Sequence, residues 1–379
     1  MYGMIGGGRG AFIGAVHRKA IALDTTARLV AGAMSSTPEN AITSALELGI
    51  ARERAYASWR DMLTAEAALP PGERIDFVSI VTPNDTHHPI AKAALEHGFH
   101  VVLDKPATHT SAQARELADL ARARGLLCCV TYNYSGYPMV RQAAEMVASG
   151  ELGAIRKVVV EYHQGWLAAP LEQTGQKQAA WRTDPKRSGG GAIGDIGVHA
   201  EQLARFITGL EPVSLCADIT THVPGRQVDD DGCVLLKYPN GARGSISFSQ
   251  VCVGEQNGLS IRVFGERGGL RWRQESPDEL VVLSLDSPTR LLTRGGPGLG
   301  ARAAAATRIP PGHPEGYLEG FANIYRGVAE WIMCARANKP TGPLAREIPT
   351  IEDGLKGVRF MELAVQSSAL GGVWAGTRT

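Results

Sequence analysis

Between residues 2 and 131 short apolar runs alternate with stretches whose apolar positions recur every three to four residues. The runs at 2–5, 29–34, 76–82, 99–103 and 126–131 read as strands. Between them the spacing predicts helices. One runs from a glycine-rich loop through residue 22, and another is capped by Thr37, started by Pro38 and closed by Gly49. A third covers 85–97 with Gly98 at its end, and a fourth covers 111–124 behind a Thr110 cap. Strands separated by helices pair in parallel, so this half implies stacked βαβ units. Beyond residue 150 the period shortens to alternation. Runs at 233–238 and 242–249 flank Pro239-Asn240-Gly241, a strong hairpin signal, and 259–264 and 269–273 read as a second pair. Residues 294–312 are rich in Gly, Ala and Pro and read as a long loop, either mobile or functional, before helical spacing over 316–335 and 351–367. The expectation is an α/β chain whose two halves differ in architecture, the first on a parallel sheet and the second on a largely antiparallel one.

Composition narrows the function classes. With 39 Lys+Arg against 38 Asp+Glu the formal charge is +1, so no global field favours nucleic acid or an anionic membrane surface. Hydrophobic content of 44% and charged content of 20% suit a folded chain. The 45 glycines are about 12% of the 379 residues, against an average near 7%, which suggests tight turns and close backbone approaches. No run supplies the roughly 18 apolar residues of a membrane span, and the first residues lack a basic signal region, so a cytoplasmic location is expected. Cys128, Cys129, Cys216, Cys233, Cys252 and Cys334 form no C-x-x-C pair and read as buried reduced thiols. No metal site is expected either. Asp229-Asp230-Asp231 is too short a run for calcium and reads as a solvated turn, and His87, His88, His97 and His100 straddle a helix.

Three segments carry chemistry. Ile5 through Gly14 places Gly6, Gly8, Gly10, Phe12 and Ile13 between a strand and a helix, the setting in which backbone N–H groups meet a dinucleotide pyrophosphate. The loop is about three residues longer than G-x-G-x-x-G, and a plain glycine turn is the other reading. The next strand ends in Ser35, Ser36 and Thr37 with neither a ribose-binding acid nor a phosphate-binding Arg, which favours NAD modestly and leaves NADP possible. Asp104-Lys105-Pro106 follows a strand at the sheet's carboxyl edge. There the Lys105 ammonium can stabilise an alkoxide, and Pro106 can fix the turn, a cis peptide being one way to do so. A merely exposed strand-end lysine is the alternative. Asp195 and His199 are four apart, on one helix face, as a base and its orienting carboxylate would be; a capping Asp with a packed His is the alternative.

In chain order these segments resemble the Gfo/Idh/MocA oxidoreductases. Thr82-Pro83-Asn84 with His87 resembles the family's T-P-N-x-x-H segment along the cofactor, and Asp104-Lys105-Pro106 its E-K-P motif with Asp for Glu. Gly14-x-x-His17 and Asp195-x-x-x-His199 match its G-x-x-H and catalytic D-x-x-x-H. Trp181-Arg182 resembles a pair that reaches the nicotinamide, and Tyr132-Asn133 the start of the second domain. The resemblance implies an N-terminal Rossmann domain over 1–131 and a C-terminal α/β domain over 132–379 built on an open, largely antiparallel sheet, with the site between them. Cofactor contacts would then come from the glycine loop, Ser35, Ser36, Thr82, Pro83, Asn84, His87, Asp104, Lys105, Asn133, Trp181 and Arg182. Gln164-Gly165-Trp166 and Gly312-His313-Pro314-Glu315 are similar to a branch that includes levoglucosan dehydrogenase and other enzymes oxidising sugar-like rings. Tyr132, His163, Trp166, His313 and Glu315, with Lys105, Arg182, Asp195 and His199, suit a polyol: aromatic faces for C–H groups and polar groups for hydroxyls.

The implied activity is reversible hydride transfer between a ring secondary hydroxyl and NAD or NADP, with Lys105, Asp195 and His199 as catalytic residues. An NAD-dependent glycosidase acting through transient sugar oxidation is one rival. A non-catalytic nucleotide sensor is another, though a sensor would need neither Lys105 nor His199. The resemblance also implies a homodimer or homotetramer, since the family's open sheet is often covered by another subunit.

Overall fold

The computed structural model describes residues 1–377, which fall into two compact units. The first contains β1 (Tyr2–Gly6), β2 (Leu29–Ala33), β3 (Phe77–Val81), β4 (His100–Leu103) and β5 (Cys128–Val130). All pair in parallel, in the order β2-β1-β3-β4-β5. Every residue of β1 and β3 is buried, as a sheet covered on both faces requires. The strand order reverses between β1 and β3, and in doubly wound sheets ligands bind beyond the carboxyl ends at that switch. The segments leaving the two strands are the glycine loop and Thr82–His87, so the topology brings both cofactor candidates to one place.

The expected helices are present with two differences. Thr37 occupies the N-cap of the helix Pro38–Glu47 but makes no side-chain cap. Instead the Ser35 hydroxyl accepts the Thr37 N–H at 3.2 Å and the Asn40 amide at 3.0 Å. An unexpected helix spans Trp59–Ala68, started by Ser58 accepting from the Asp61 N–H. Its buried face is only Met62, Leu63 and Glu66, too narrow a stripe to stand out in the sequence. Thr110 and Gln113 form the reciprocal capping box of Ser111–Arg124.

The division expected at residues 131 and 132 needs correction, because Tyr317–Leu355 belongs to the first unit. The helix Tyr317–Ala337 buries Phe321, Ile324, Tyr325 and Val328 in one core with Val16, Ala20 and Ile21 of the helix Phe12–Leu23. The Tyr325 hydroxyl sits 2.6 Å from His17 Nδ1 and 2.8 Å from Ser79 Oγ, so this late segment completes the hydrogen bonding of the sheet's interior.

The second unit comprises Tyr134–Gly316 and the chain from Lys356. Its sheet contains β6 (Ile155–His163), β7 (Ser214–Thr220), β8 (Asp231–Lys237), β9 (Arg243–Ser249), β10 (Gly258–Gly265), β11 (Gly268–Arg273), β12 (Glu279–Ser284), β13 (Arg290–Thr293) and β14 (Ala375–Gly376). The order is β13-β12-β11-β10-β6-β9-β8-β7-β14, antiparallel except for β6 beside β9. The expected hairpin at Asn240-Gly241 joins β8 to β9, with Lys237 opposite Arg243. Alternation gives the sheet two faces. Val158, Val160, Tyr162, Ile246, Phe248 and Ile261 are buried, on strands that pack against the helix Val198–Thr208, while the helix Pro138–Ala148 packs against β11 and β12. Glu161, His163, Arg262 and Arg271 turn to the open face, where they line a groove of about 650 Å³. Cys233 also faces out, unlike the buried Cys128 and Cys129.

The region read as a bare loop is built. Ala301–Ala306 is a helix, and the Glu145 carboxylate accepts the N–H groups of Ala301 and Arg302 at 3.2 and 3.0 Å. Arg294 is buried and donates to Asp278 at 2.8 Å, Glu315 at 2.9 Å and the Ile309 carbonyl at 2.8 Å. A hub of that kind fixes a chain segment without regular structure, and composition gives no sign of it.

Candidate active site

In the first unit the glycine loop leaves β1 with Gly6, Gly7 and Gly10 at positive φ. Gly8 N–H donates to the Met34 carbonyl at 2.9 Å, and Arg9 N–H to Ser44 Oγ at 3.1 Å, so the loop is pinned to the end of β2 and to the helix Pro38–Glu47. A Cβ on Gly8 would stand 2.6 Å from that carbonyl oxygen, and one on Gly14 2.4 Å from the Gly7 Cα. Both positions accept only glycine without rearrangement. The helix Phe12–Leu23 starts at Ala11 with no side-chain cap, and Phe12 beside it is 61% exposed. An accessible helix start without a side-chain acceptor, behind a glycine cradle, fits a dinucleotide pyrophosphate.

At the neighbouring strand ends the side chains mostly hold one another. Thr86 Oγ1 donates to Thr82 Oγ1 at 2.7 Å, and Asn84 is buried beneath that turn. Asp104 Oδ1 accepts the Lys105 N–H at 2.9 Å and the Thr131 hydroxyl at 2.8 Å, tying β4 to β5. Lys105 is partly exposed, and its peptide to Pro106 is cis. His87 departs from expectation. It is fully buried, with Nδ1 2.9 Å from the Pro106 carbonyl and Nε2 3.0 Å from the Thr82 carbonyl. Burial lowers its pKa and Asp104 opposes the shift. A neutral ring donates to only one of the two carbonyls, so His87 braces the Thr82 and Pro106 turns and is not itself placed to touch a ligand. Tyr132 and Asn133 are likewise buried.

In the second unit Asp195 lies in a π-helical turn, Ile193–Gly197, that runs directly into the helix Val198–Thr208 bearing His199. Such widened turns are common at functional sites. Asp195 Oδ2 accepts the Gln250 amide at 2.8 Å and lies 3.4 Å from Arg182 Nε. Arg182 also rests over Trp181, 4.4 Å from its ring centre, and 6.0 Å from that of Trp166. This group of Trp166, Trp181, Arg182 and Asp195 is one the sequence reading named.

The His199 ring is buried against Tyr134, edge-on at 4.9 Å, and Tyr162 at 6.4 Å. The two phenol oxygens are 2.6 Å apart, and Tyr162 donates to Asn257 Oδ1 at 2.7 Å. Gln164 donates to the same oxygen at 2.9 Å, and Trp166 Nε1 donates to Gln164 at 3.0 Å. A continuous chain thus runs from the indole to the imidazole's aromatic walls. Burial raises the Tyr134 pKa, so its hydroxyl stays protonated.

Tyr134, Tyr162, Gln250 and Asn257 were absent from the sequence reading. For Tyr162 the strand alternation was the available signal, since it faces opposite to its neighbour; the others join through loops with no periodicity to betray them. The same alternation corrects His163, which points to the open face and lies 2.9 Å from Ser247 Oγ, away from His199. His313 is exposed, and the Glu315 carboxylate is already engaged by Arg294 and by the N–H groups of Arg308 and Ile309. Asp229-Asp230-Asp231 is no solvated turn either. Asp230 is buried and accepts from His222 N–H, Val223 N–H and Arg226. Among the described residues no three His, Cys, Asp or Glu side chains converge as metal ligands, and no helix is long and apolar enough to cross a membrane.

Known proteins of the same architecture give these residues their context. Residues 1–132 match the oxidoreductase family with an NAD-binding Rossmann fold, and residues 140–271 match the GFO/IDH/MocA C-terminal domain. The uncharacterised oxidoreductase YfiI of Bacillus subtilis is 34% identical over 379 residues, 98% of this chain and 95% of that protein. Levoglucosan dehydrogenase of Pseudarthrobacter phenanthrenivorans is 28% identical over 310 residues, 74% of this chain and 75% of the relative. An inositol dehydrogenase homologue of Azotobacter vinelandii, solved with NADH and myo-inositol, has a TM-score of 0.91 at 36% identity, covering 99% of this chain and 97% of that one. With the glycine cradle, the lysine turn and the Asp195–His199 helix all lying inside the matched segments, this chain belongs to the Gfo/Idh/MocA family of oxidoreductases and carries its NAD-binding Rossmann domain.

Proposed function

We propose that the chain is an NAD-dependent dehydrogenase that reversibly oxidises a secondary ring hydroxyl of a sugar or polyol, of the anhydrosugar, glycoside or inositol kind. The observation that carries this reading is the turn holding Asp195 and His199, with Arg182 and Gln250 on the carboxylate and two tyrosines around the imidazole. Bound nicotinamide supplies the hydride acceptor. Gly6, Gly8, Gly10, Phe12 and Ile13 hold the pyrophosphate end, Ser35 and Ser36 the adenosine ribose, and Thr82, Pro83 and Asn84 the stretch between.

His199 accepts the hydroxyl proton, Asp195 orients the substrate or His199, and Lys105 stabilises the negative charge that develops on oxygen. Trp166 offers an apolar face to the ring's C–H groups, and Arg182 a donor to its hydroxyls. The names of the neighbours support a ring polyol, since one was solved with myo-inositol and another with levoglucosan. In this reading the enzyme is cytoplasmic and a homodimer or homotetramer, with the open sheet face available for self-association.

The test is a screen of monosaccharides, anhydrosugars, inositols and glycosides with NAD or NADP, followed at the absorbance of the reduced cofactor. Net NADH with a ring ketone or lactone is expected. Aglycone release without net NADH would replace the dehydrogenase by a glycosidase, and binding of NAD with no turnover of any class would leave a sensor.

A further inference from the structure

The helix that carries Asp195 and His199 begins without a side-chain cap of its own, for Ala192 precedes its π-turn. Its first N–H groups are satisfied from far along the chain. Asp229 Oδ1 accepts the Gly191 N–H at 2.8 Å, Oδ2 accepts the Ile193 N–H at 2.7 Å, and the Asp229 carbonyl accepts the Ala192 N–H at 2.9 Å. One residue therefore takes all three successive donors at the start of that helix. A carboxylate there also complements the positive end of the helix dipole. The approach is so close that a Cβ on Gly191 would stand 1.8 Å from the Asp229 carbonyl oxygen.

Asp229 is itself anchored. Its neighbour Asp230 is buried, accepts from Arg226 at 3.0 Å, and passes its carbonyl to the Gln250 N–H at 2.8 Å. Gln250 in turn donates to Asp195 Oδ2. The start of the helix and the side chain that steadies Asp195 thus hang from the same two consecutive residues.

We infer that Asp229 is the positioning residue for the Asp195–His199 turn: it clamps the Gly191–Ile193 backbone and so sets where the base and its carboxylate stand. This rests on the dehydrogenase reading above for its catalytic consequence, but the clamp itself is a property of the second unit alone. Asp229 touches no substrate in this scheme and acts through the helix. Positions held to within about half an ångström are what productive proton transfer demands, and three backbone bonds are a direct means of holding them.

The experiment compares Asp229→Asn and Asp229→Ala with Asp231→Asn, whose side chain lies outside the clamp. Amide hydrogen exchange over residues 191–199 is measured alongside kcat, and exchange over the strands β8 and β9, unchanged from wild type, identifies variants whose second unit is folded. Wild-type Gly191, Ala192 and Ile193 amides should be protected. In Asp229→Ala exchange over 191–199 should accelerate and kcat fall at least tenfold, with KM for NAD within twofold. Asp229→Asn, which keeps one acceptor, should recover part of the loss, and Asp231→Asn should match wild type. Unprotected wild-type amides, unchanged exchange in the variants, or kcat within twofold of wild type in Asp229→Ala would each overturn the inference. If wild type oxidises no ring alcohol, the functional reading fails by itself. The exchange data then decide the clamp, acceleration upholding it and unchanged rates refuting it.

Discussion

Gly8 shows how little room a cofactor cradle leaves. The first atom of any side chain there would lie 2.6 Å from the Met34 carbonyl oxygen and 2.8 Å from Ser44 Oγ, so bulk disturbs the loop's anchorage as well as the approach of phosphate. Gly8→Val should weaken NADH binding by about tenfold or more, roughly 1.4 kcal/mol, in a fluorescence titration; unchanged affinity would show the loop to be a simple turn. Removing Lys105 or His199 should leave cofactor binding largely intact and lower kcat by roughly 10²- to 10⁴-fold. The double variant should lose less than the product of the two, because both groups serve one developing alkoxide. Near-normal kcat in a folded single variant would remove that residue from the mechanism. At this scale the residues that stand out in the sequence are those whose chemistry fixes a spacing, the glycine loop and the four-residue step from Asp195 to His199. The sequence fails where geometry depends on which face a strand presents. Tyr162 and His163 are adjacent, yet only the first meets His199, and Glu315 reads as a ligand until Arg294 is seen to occupy it.

Among elements, the helix Tyr317–Ala337 is the clearest case of information held at long range. Its apolar stripe was visible, but the surface that stripe covers lies some three hundred residues earlier, on the helix Phe12–Leu23. Tyr325 marks the junction. Tyr325→Phe should deprive buried His17 and Ser79 of a hydrogen-bond partner and cost about 1–3 kcal/mol, read as a lower denaturation midpoint with an unchanged slope. Equal midpoints would mean the phenol contributes packing alone. The same junction sets a pH dependence. Burial lowers the pKa of His17 from 6.5 to about 4, and that of His100 likewise to about 4. The unfolded chain therefore binds more protons between pH 6.5 and 4, and stability should fall as pH drops through that window while staying flat from this source above it. For His17 the full difference is of order 3 kcal/mol. Thermal melts from pH 7 to 4.5 should show the decline, and His17→Asn should make it shallower; an identical slope in the variant would exclude His17 as its origin. Hairpins and strand-helix alternation were legible because turns and periods are local. The helix Ala301–Ala306 was not, since its start is capped by the distant Glu145.

At the scale of the whole molecule, the change of texture near residue 150 correctly announced two architectures, among the described residues a parallel sheet of five strands and a mixed sheet of nine. The late return of Tyr317–Leu355 to the first unit was hidden because a period reports a buried face and not its partner. Cofactor choice belongs to this scale too. Ser35 already accepts two local hydrogen bonds, and neither an acid nor an Arg follows β2 directly, so NAD should be preferred modestly with measurable NADP use. Comparing kcat/KM for the two cofactors checks this, and a strong preference for NADP would contradict it. The most direct measurement follows the hydrogen itself. A ring alcohol found by the substrate screen, deuterated at its secondary carbons, is turned over with NAD and the reduced cofactor is weighed. Direct transfer predicts NADH one mass unit heavier, formed in step with the ring ketone or lactone and suppressed in His199→Ala; unlabelled NADH, or no reduced cofactor from any ring alcohol, would contradict it.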